Sequence, residues 1–340
     1  MTYDELAKKA RGTMGPVCKA CPVCNGRSCG SQIPGPGSKG SGNVAARNYE
    51  AWREYRLAMD TIHDSFDASC KTEVLGKSLA LPVMIGPVGD VQRHYGEAYD
   101  TVSYNRTILR AANEVGSLAW TGDGMDAAIM EDALELIGSL EGAGVPTIKP
   151  WSMDVVRQKL DAALAVNPVA VAMDVDAAGL PFLRGQQPPA GAKSQRELRE
   201  IARICHDANV PFVVKGIMTV EGARKAVRAD ADAIVVSNHG GRVLDGVPAT
   251  AEVLSEIVDV VGQETTVLVD GGIRSGIDVF RALALGASAV LMCRPFVVAT
   301  FGGGAQGVKD YLNQLAAELV DAMEMCGAQE VGDIDRSMLW

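Results

Sequence analysis

Of four histidines in this chain, one stands in the run SNHGGRVLDGVPAT, Ser237 to Thr250, with an arginine three residues behind it. His239 can act as a base near neutral pH, and Arg242 can grip a carboxylate through two parallel hydrogen bonds. Set between glycines directly after the apolar run ADAIVV, the two fit a solvated turn or a base and clamp at a pocket mouth. A second constellation is VDGGIRSGIDV, where Gly271 and Gly272 admit a ligand to the backbone, Arg274 follows, and a helix opens at Ser275. CRP then places Arg294 behind Cys293 at the end of another apolar run. Backbone N–H groups, a helix N-terminus and guanidinium forks together form an anion site suited to a phosphate. Lys215 ends the buried run FVVK, where an unpaired ammonium is costly, so it needs a carboxylate partner or the negative charge of a cofactor. His63, His94 and His206 fall on other elements, which disfavours metal ligation by His239.

Four of the eight cysteines, Cys18, Cys21, Cys24 and Cys29, crowd into VCKACPVCNGRSCG. The spacing C-x2-C-x2-C-x4-C is similar to the opening of a [4Fe–4S] ferredoxin run, except that the last interval is one residue longer and no proline follows. An iron–sulfur cluster, a structural zinc and free thiols all remain open for this segment. In a reducing compartment the cysteines stay thiols or go to a metal rather than pairing as disulfides.

Such residues need elements to position them. From residue 80 onward, β-branched runs alternate with amphipathic stretches: LPVMIGPV (81–88), SLAWTGD (117–123), PTIKPW (146–151), VAVAMDVD (169–176), PFVVKG (211–216), DAIVVSN (232–238), TTVLVDGG (265–272) and SAVLMCRP (288–295). Segments such as DVVRQKLDAALAV and AEVLSEIVDVV have helical spacing, and Ser194 opens a capping box, SQRE. Eight strands, each followed by a helix, make an α/β protein of the closed (β/α)8 TIM-barrel type, with residues 80–340 as the barrel and 1–79 as a cysteine-rich, partly helical N-terminal cap. The Pro- and Gly-rich AAGLPFLRGQQPPAGAK after the fourth strand reads as a lid or a disordered loop. In a barrel the chemistry sits at the C-terminal strand ends, which here carry Pro87, Gly89, Gly122, Asp123, Lys149, Trp151, Asp174, Asp176, Lys215, His239, Arg242, Asp270, Arg274 and Arg294.

Composition narrows the partners. Over 340 residues, 32 Lys and Arg against 42 Asp and Glu give a net charge of −10, which argues against a nucleic-acid surface or a polybasic membrane patch. No apolar run approaches the roughly 20 residues of a membrane span, and MTYDELAKKARG lacks the apolar middle of a signal peptide. The expected setting is cytoplasmic.

SNHGGR, LDGVPAT, VDGGIRSGIDVFRALALGA and the following RP closely resemble the FMN-dependent 2-hydroxy-acid oxidase and dehydrogenase family, and weaker likeness reaches GKSLALPVMIGPVG, so the resemblance spans roughly residues 75 to 305. It implies a barrel with non-covalent FMN, its phosphate held by Arg274, Arg294 and the Gly271–Gly272 turn, and its ribityl hydroxyls by Asp270. Pro87, Val88, Gly89, Gly122, Ser237 and Cys293 would line the cofactor. Lys215 would stabilise the reduced flavin, His239 would take the substrate hydroxyl proton with Asp176 orienting its ring, and Arg242 would bind the carboxylate of a small, lactate-like 2-hydroxy acid. The resemblance also suggests a homo-oligomer, often a tetramer. The electron acceptor is open.

Departures from the family pattern point to a remodelled substrate pocket. The usual N-terminal tyrosine is replaced by the cysteine run and IPGPGSKGSG, and an active-site tyrosine aligns with Trp151, which can donate only through its indole N–H. A flavin-contacting glutamine aligns with Lys149 and a threonine with Asp174, a candidate partner for that lysine. Two other readings stay in view: a non-redox FMN enzyme similar to type 2 isopentenyl-diphosphate isomerase, and a flavin electron carrier without a substrate of its own.

Overall fold

The structure, a computed structural model, describes residues 1–340 apart from Met125, Arg184, Gln186 and Pro188. Its centre is eight parallel strands: β1 (Val83–Ile85), β2 (Trp120–Thr121), β3 (Val145–Ile148), β4 (Val171–Asp174), β5 (Phe212–Ile217), β6 (Ala233–Val236), β7 (Thr266–Asp270) and β8 (Ala289–Met292). Neighbours run β1-β8-β7-β6-β5-β4-β3-β2, and a parallel bridge from Ile85 to Ala119 closes the ring. The (β/α)8 barrel expected from the alternating pattern is what forms.

The strands read as continuous apolar runs because both faces are covered, inside by the barrel's own side chains and outside by helices. Alanines at 170, 172, 233 and 289 make room in the interior for Trp120, Met84 and Leu291, and a hairpin of Thr72–Val74 and Lys77–Leu79 adds Val74 and Leu79 to the same cluster. The paired spans are shorter than the apolar runs: 117–123 contracts to Trp120–Thr121, and the run from 146 pairs only through Ile148, two residues before Pro150. The remainder of each run leaves the ladder and becomes rim.

Helix ends follow local chemistry. Ser194 and Glu197 close the expected capping box on Gln195–Asp207, and Gly116 ends Thr101–Val115 at φ +78°. The segments read as helical from their spacing become Met153–Leu164 and Thr250–Val261. The last helix, Arg294–Cys326, is broken at Gly304. No helix among the described residues is long and apolar enough to cross a membrane.

The N-terminal segment shares one continuous core with the outer face of the barrel, contributing Leu6, Ala10 and Trp52. Its helix Val44–Glu54 lies on the C-terminal rim. There Asn48 and Asn238 exchange two 2.8 Å hydrogen bonds, and Trp52 Nε1 donates to the Gly271 carbonyl at 2.7 Å.

Candidate active site

A cavity of about 540 Å³ opens at the C-terminal rim, and all eight strand ends line it. In order they bring Pro87, Val88 and Gly89; Gly122 and Asp123; Lys149; Asp174; Lys215; His239 and Arg242; Asp270, Gly271, Gly272 and Arg274; and Cys293 with Arg294. Three predicted residues, Asp176, Ser237 and Trp151, are not in this wall but hydrogen-bond to residues that are: His239, Lys215 and Asp123 respectively.

His239 owes its place to backbone geometry. The β5–β6 ladder shifts register between Lys215 and Ile217, and Gly216 adopts φ +106°. A Cβ there would lie 2.6 Å from Asp176 Cβ and Cγ, so only glycine lets this carboxylate lie against β5. Asp176 Oδ1 then meets His239 Nδ1 at 3.0 Å, while His239 itself is held at φ +56°, ahead of Gly240 and Gly241. Ser237 Oγ accepts from the His239 amide at 3.1 Å and from Lys215 Nζ at 2.9 Å, tying base and lysine together.

The surrounding charges alternate. Lys149 Nζ stands 2.5 Å from Asp174 Oδ2, and Lys215 Nζ 3.2 Å from Asp270 Oδ2. Burial opposes ionisation of Asp176, but His239 and Lys215 outweigh it and hold the carboxyl below its usual range. Burial lowers the pKa of His239 from its ordinary 6.5; Asp176 pulls upward, yet Lys215 and Lys149 reinforce the fall. For Lys215, burial is overcome by Asp270, Asp176 and Asp174, so the ammonium is stabilised. His239 is therefore a neutral imidazole whose Nδ1–H donates to Asp176, leaving Nε2 as a bare proton acceptor. Asp174, Asp176 and His239 bring ligand-type atoms within 4.8 Å of one another, but Lys149 already balances Asp174 and His239 engages Asp176.

Arg294 Nη2 donates to the Gly240 carbonyl at 2.9 Å, and a Cβ on Gly240 would stand 2.8 Å from Arg294 Nη1. Arg274 directs Nε to the Cys24 carbonyl at 2.7 Å and Nη1 to its neighbour Ile273 at 2.6 Å. One expected contributor is missing from this anion site. The helix Gly276–Ala284 spends its first amides internally, Gly276 N–H on Glu318 Oε2 at 2.7 Å and Asp278 N–H on Ser275 Oγ at 3.2 Å. The guanidinium groups of Arg274 and Arg294 and the Gly271–Gly272 backbone line the cavity and can hold an anion there.

Trp151 does not reach the cavity. It is buried, and its indole N–H donates to Asp123 Oδ2 at 2.6 Å. Asp123 also accepts from Lys159 Nζ at 2.8 Å and the Lys149 amide at 3.1 Å, so this corner is a knot binding the ends of β2 and β3. The donor that sequence reasoning missed is His94, which enters the cavity from the short helix Val91–Tyr95 that follows β1. His94 Nδ1 accepts the Gly35 amide at 2.8 Å, and its Nε2 faces Arg242 Nη2 at 3.3 Å. Burial and then the charges of Arg242 and Arg93 lower its pKa to about 3, so it is neutral. Arg242 Nη1 is taken by the carbonyls of Gly35 and Gly37 at 2.6 and 3.1 Å, both in the glycine-rich N-terminal loop. Leu180, Phe182, Leu183 and Ile129 add an apolar wall. The first three belong to the loop read as a lid; its residues 184, 186 and 188 lie outside the described ones.

The cavity fits the flavin mononucleotide implied by the resemblance. Its volume lies in the range of about 300–1,000 Å³ usual for small-ligand sites. Buried oxygens of Asp174 and Asp270, both in the cavity wall, have no partner among the described residues, an imbalance that a ligand with several hydroxyl and N–H groups relieves. Asp270 would hold ribityl hydroxyls, Arg274, Arg294 and the glycine pair the phosphate, and Lys149, Lys215 and Pro87–Gly89 the ring.

Comparison with known proteins agrees with this fit. The sequence profile described as FMN-dependent dehydrogenase matches residues 36–182 and 184–340. The 4-hydroxymandelate oxidase of Amycolatopsis orientalis is 34% identical over 325 residues, covering 86% of this chain and 89% of the relative. A peroxisomal (S)-2-hydroxyacid oxidase of Arabidopsis thaliana is 30% identical over 321 residues, covering 85% of this chain and 86% of its own. Among solved structures, mandelate oxidase with benzoyl-formic acid superposes with a TM-score of 0.79 at 29% identity, covering 99% of this chain and 97% of the other.

Proposed function

Because this chain belongs to the FMN-dependent dehydrogenase family, we propose that it oxidises a 2-hydroxy acid with an apolar, aryl-sized side chain to the 2-oxo acid. One observation carries the reading: a neutral imidazole with a bare Nε2, His239, shares a cavity wall with a guanidinium three residues away and with the ammonium of Lys215. Bound FMN supplies the two-electron acceptor at this wall.

His239 Nε2 takes the proton of the substrate hydroxyl, and the ionised Asp176 at 3.0 Å stabilises the imidazolium that results. Lys215, an ammonium in the cavity wall, would stabilise negative charge on a reduced cofactor bound there. Arg242 binds the carboxylate, and His94 joins it. A neutral imidazole has one bare nitrogen, and the Gly35 amide at 2.8 Å occupies it, so His94 Nε2 carries its proton toward Arg242 Nη2. Two donors 3.3 Å apart cannot satisfy each other, whereas a carboxylate set between them accepts from both. Leu180, Phe182, Leu183 and Ile129 then face the substrate side chain, which supports an aryl group over the methyl of lactate. An isomerase acting on a diphosphate has no use for a carboxylate clamp opposite a base, and a substrate-free carrier has none for the His239–Asp176 pair.

The family resemblance also supports a homo-oligomer, which sedimentation analysis would test. The reaction itself is tested by His239→Ala. Flavin reduction by the hydroxy acid should disappear while dithionite still reduces the flavin; substrate-driven reduction at the wild-type rate would refute the assignment.

A further inference from the structure

We propose that the four N-terminal cysteines hold a [4Fe–4S] cluster that serves as the one-electron exit from the flavin pocket. Cys18, Cys21, Cys24 and Cys29 all face one small cavity, together with Lys19, Tyr95 and Arg294. Tyr95 and Arg294 line the large cavity as well, so the two sites share a wall one side chain thick. The backbone adds a second link, because Arg274 at the anion end of the large cavity donates to the Cys24 carbonyl at 2.7 Å.

The arrangement selects among metals. A single tetrahedral zinc, with Zn–S of about 2.3 Å, draws its four sulfurs to about 3.8 Å from one another. No three of these four sulfurs lie within 4.8 Å of one another. A cuboidal core carrying one thiolate on each iron does not require so close an approach, and the sequence interval is that of a four-iron site lengthened by one residue. Charge agrees. Four thiolates on a core of charge 2+ leave two net negative charges, and Lys19 and Arg294 stand in the cavity wall to meet them. Arg274 and Arg11 reinforce the field, bonding to the carbonyls of Cys24 and Ala20 in the same loop.

The exit role, though not the metal site, rests on the flavin reading above. Each hydroxy acid oxidised to the oxo acid releases two electrons and two protons. The electrons pass from the cofactor to the cluster one at a time, its core cycling between 2+ and 1+, and on to a one-electron carrier protein; the protons go to water.

The test uses the full-length protein, purified anaerobically and reconstituted with ferrous iron and sulfide. The expected result is about four irons and four acid-labile sulfides per chain, and a paramagnetic reduced cluster after dithionite and again after the hydroxy acid. A Cys21→Ser, Cys24→Ser double variant should lose iron and sulfide and keep its flavin absorbance; if it does not fold, the wild-type metal content and spectra decide. Stoichiometric zinc, or no stoichiometric iron, overturns the site. A cluster that stays oxidised while substrate bleaches the flavin overturns the exit role. If no hydroxy acid bleaches the flavin, the function proposed above fails separately, and photoreduction of the flavin then tests the exit by the same signal.

Discussion

Replacing Asp176 by Asn tests whether the His239–Asp176 pair does chemistry or only packs. Asparagine keeps the shape and still accepts from His239 Nδ1–H, but it removes the charge that stabilises the imidazolium. At the observed 3.0 Å, and with an effective dielectric of about 20, a full charge pair is worth about 5.5 kcal/mol. If the proton is half transferred in the transition state, about 2.8 kcal/mol is lost, which is roughly a 100-fold fall in kcat. KM should move little, because Arg242 and His94 hold the carboxylate. The pH profile adds an independent sign. The base must be unprotonated, so activity falls as pH drops through the His239 pKa, which burial places below 6.5. Asp176 pulls that pKa upward, so its removal moves the acid limb to still lower pH. Stopped-flow flavin reduction across pH measures both effects. A loss under threefold, or a limb displaced upward, would refute the reasoning.

Three further substitutions separate machinery from scaffold. Gly216→Ala puts a Cβ 2.6 Å from Asp176 at φ +106°, so kcat should fall together with a stability loss of about 1–3 kcal/mol; an unchanged melting curve with unchanged kcat would contradict it. Trp151→Phe leaves Asp123 short of its 2.6 Å donor, so Tm should drop by several degrees with KM unaltered, and a raised KM would restore Trp151 to the substrate site. His94→Ala should raise KM by about tenfold, the worth of one hydrogen bond to a carboxylate. Because His94 is neutral down to about pH 3, the profile above pH 5 should keep its shape.

How legible the molecule was in its sequence depends on the range of each interaction. The eight strands announce themselves because burial on both faces leaves no polar interruption, yet their paired lengths do not, since ring closure decides where a ladder ends; Trp120–Thr121 is two residues of a seven-residue run. His239, Arg242, Gly271, Gly272 and Arg274 were readable because local glycines set the backbone that aims them, and Arg294 because it follows directly on an apolar strand run. His94 was not. Its role depends on Gly35, 59 residues earlier, and on Arg242, 148 residues later. A reading by barrel position, which places the loop behind β1 on the same rim as His239, was the signal that could have found it. Trp151 failed for the opposite reason: it stands at a strand end, but Asp123 captures its N–H and turns the indole away from the pocket. The anion site was overdrawn likewise, because Glu318, from the final helix, consumes the helix amide expected to serve it.

The central claim is that one pocket joins an FMN site to a base and a carboxylate clamp for a 2-hydroxy acid. An anaerobic absorption titration of the purified protein with a graded series of such acids, from lactate to aryl-substituted ones, tests it most directly. The flavin bands should bleach stoichiometrically, fastest with the aryl-substituted acids. Flavin bands that dithionite bleaches but no 2-hydroxy acid does would contradict it.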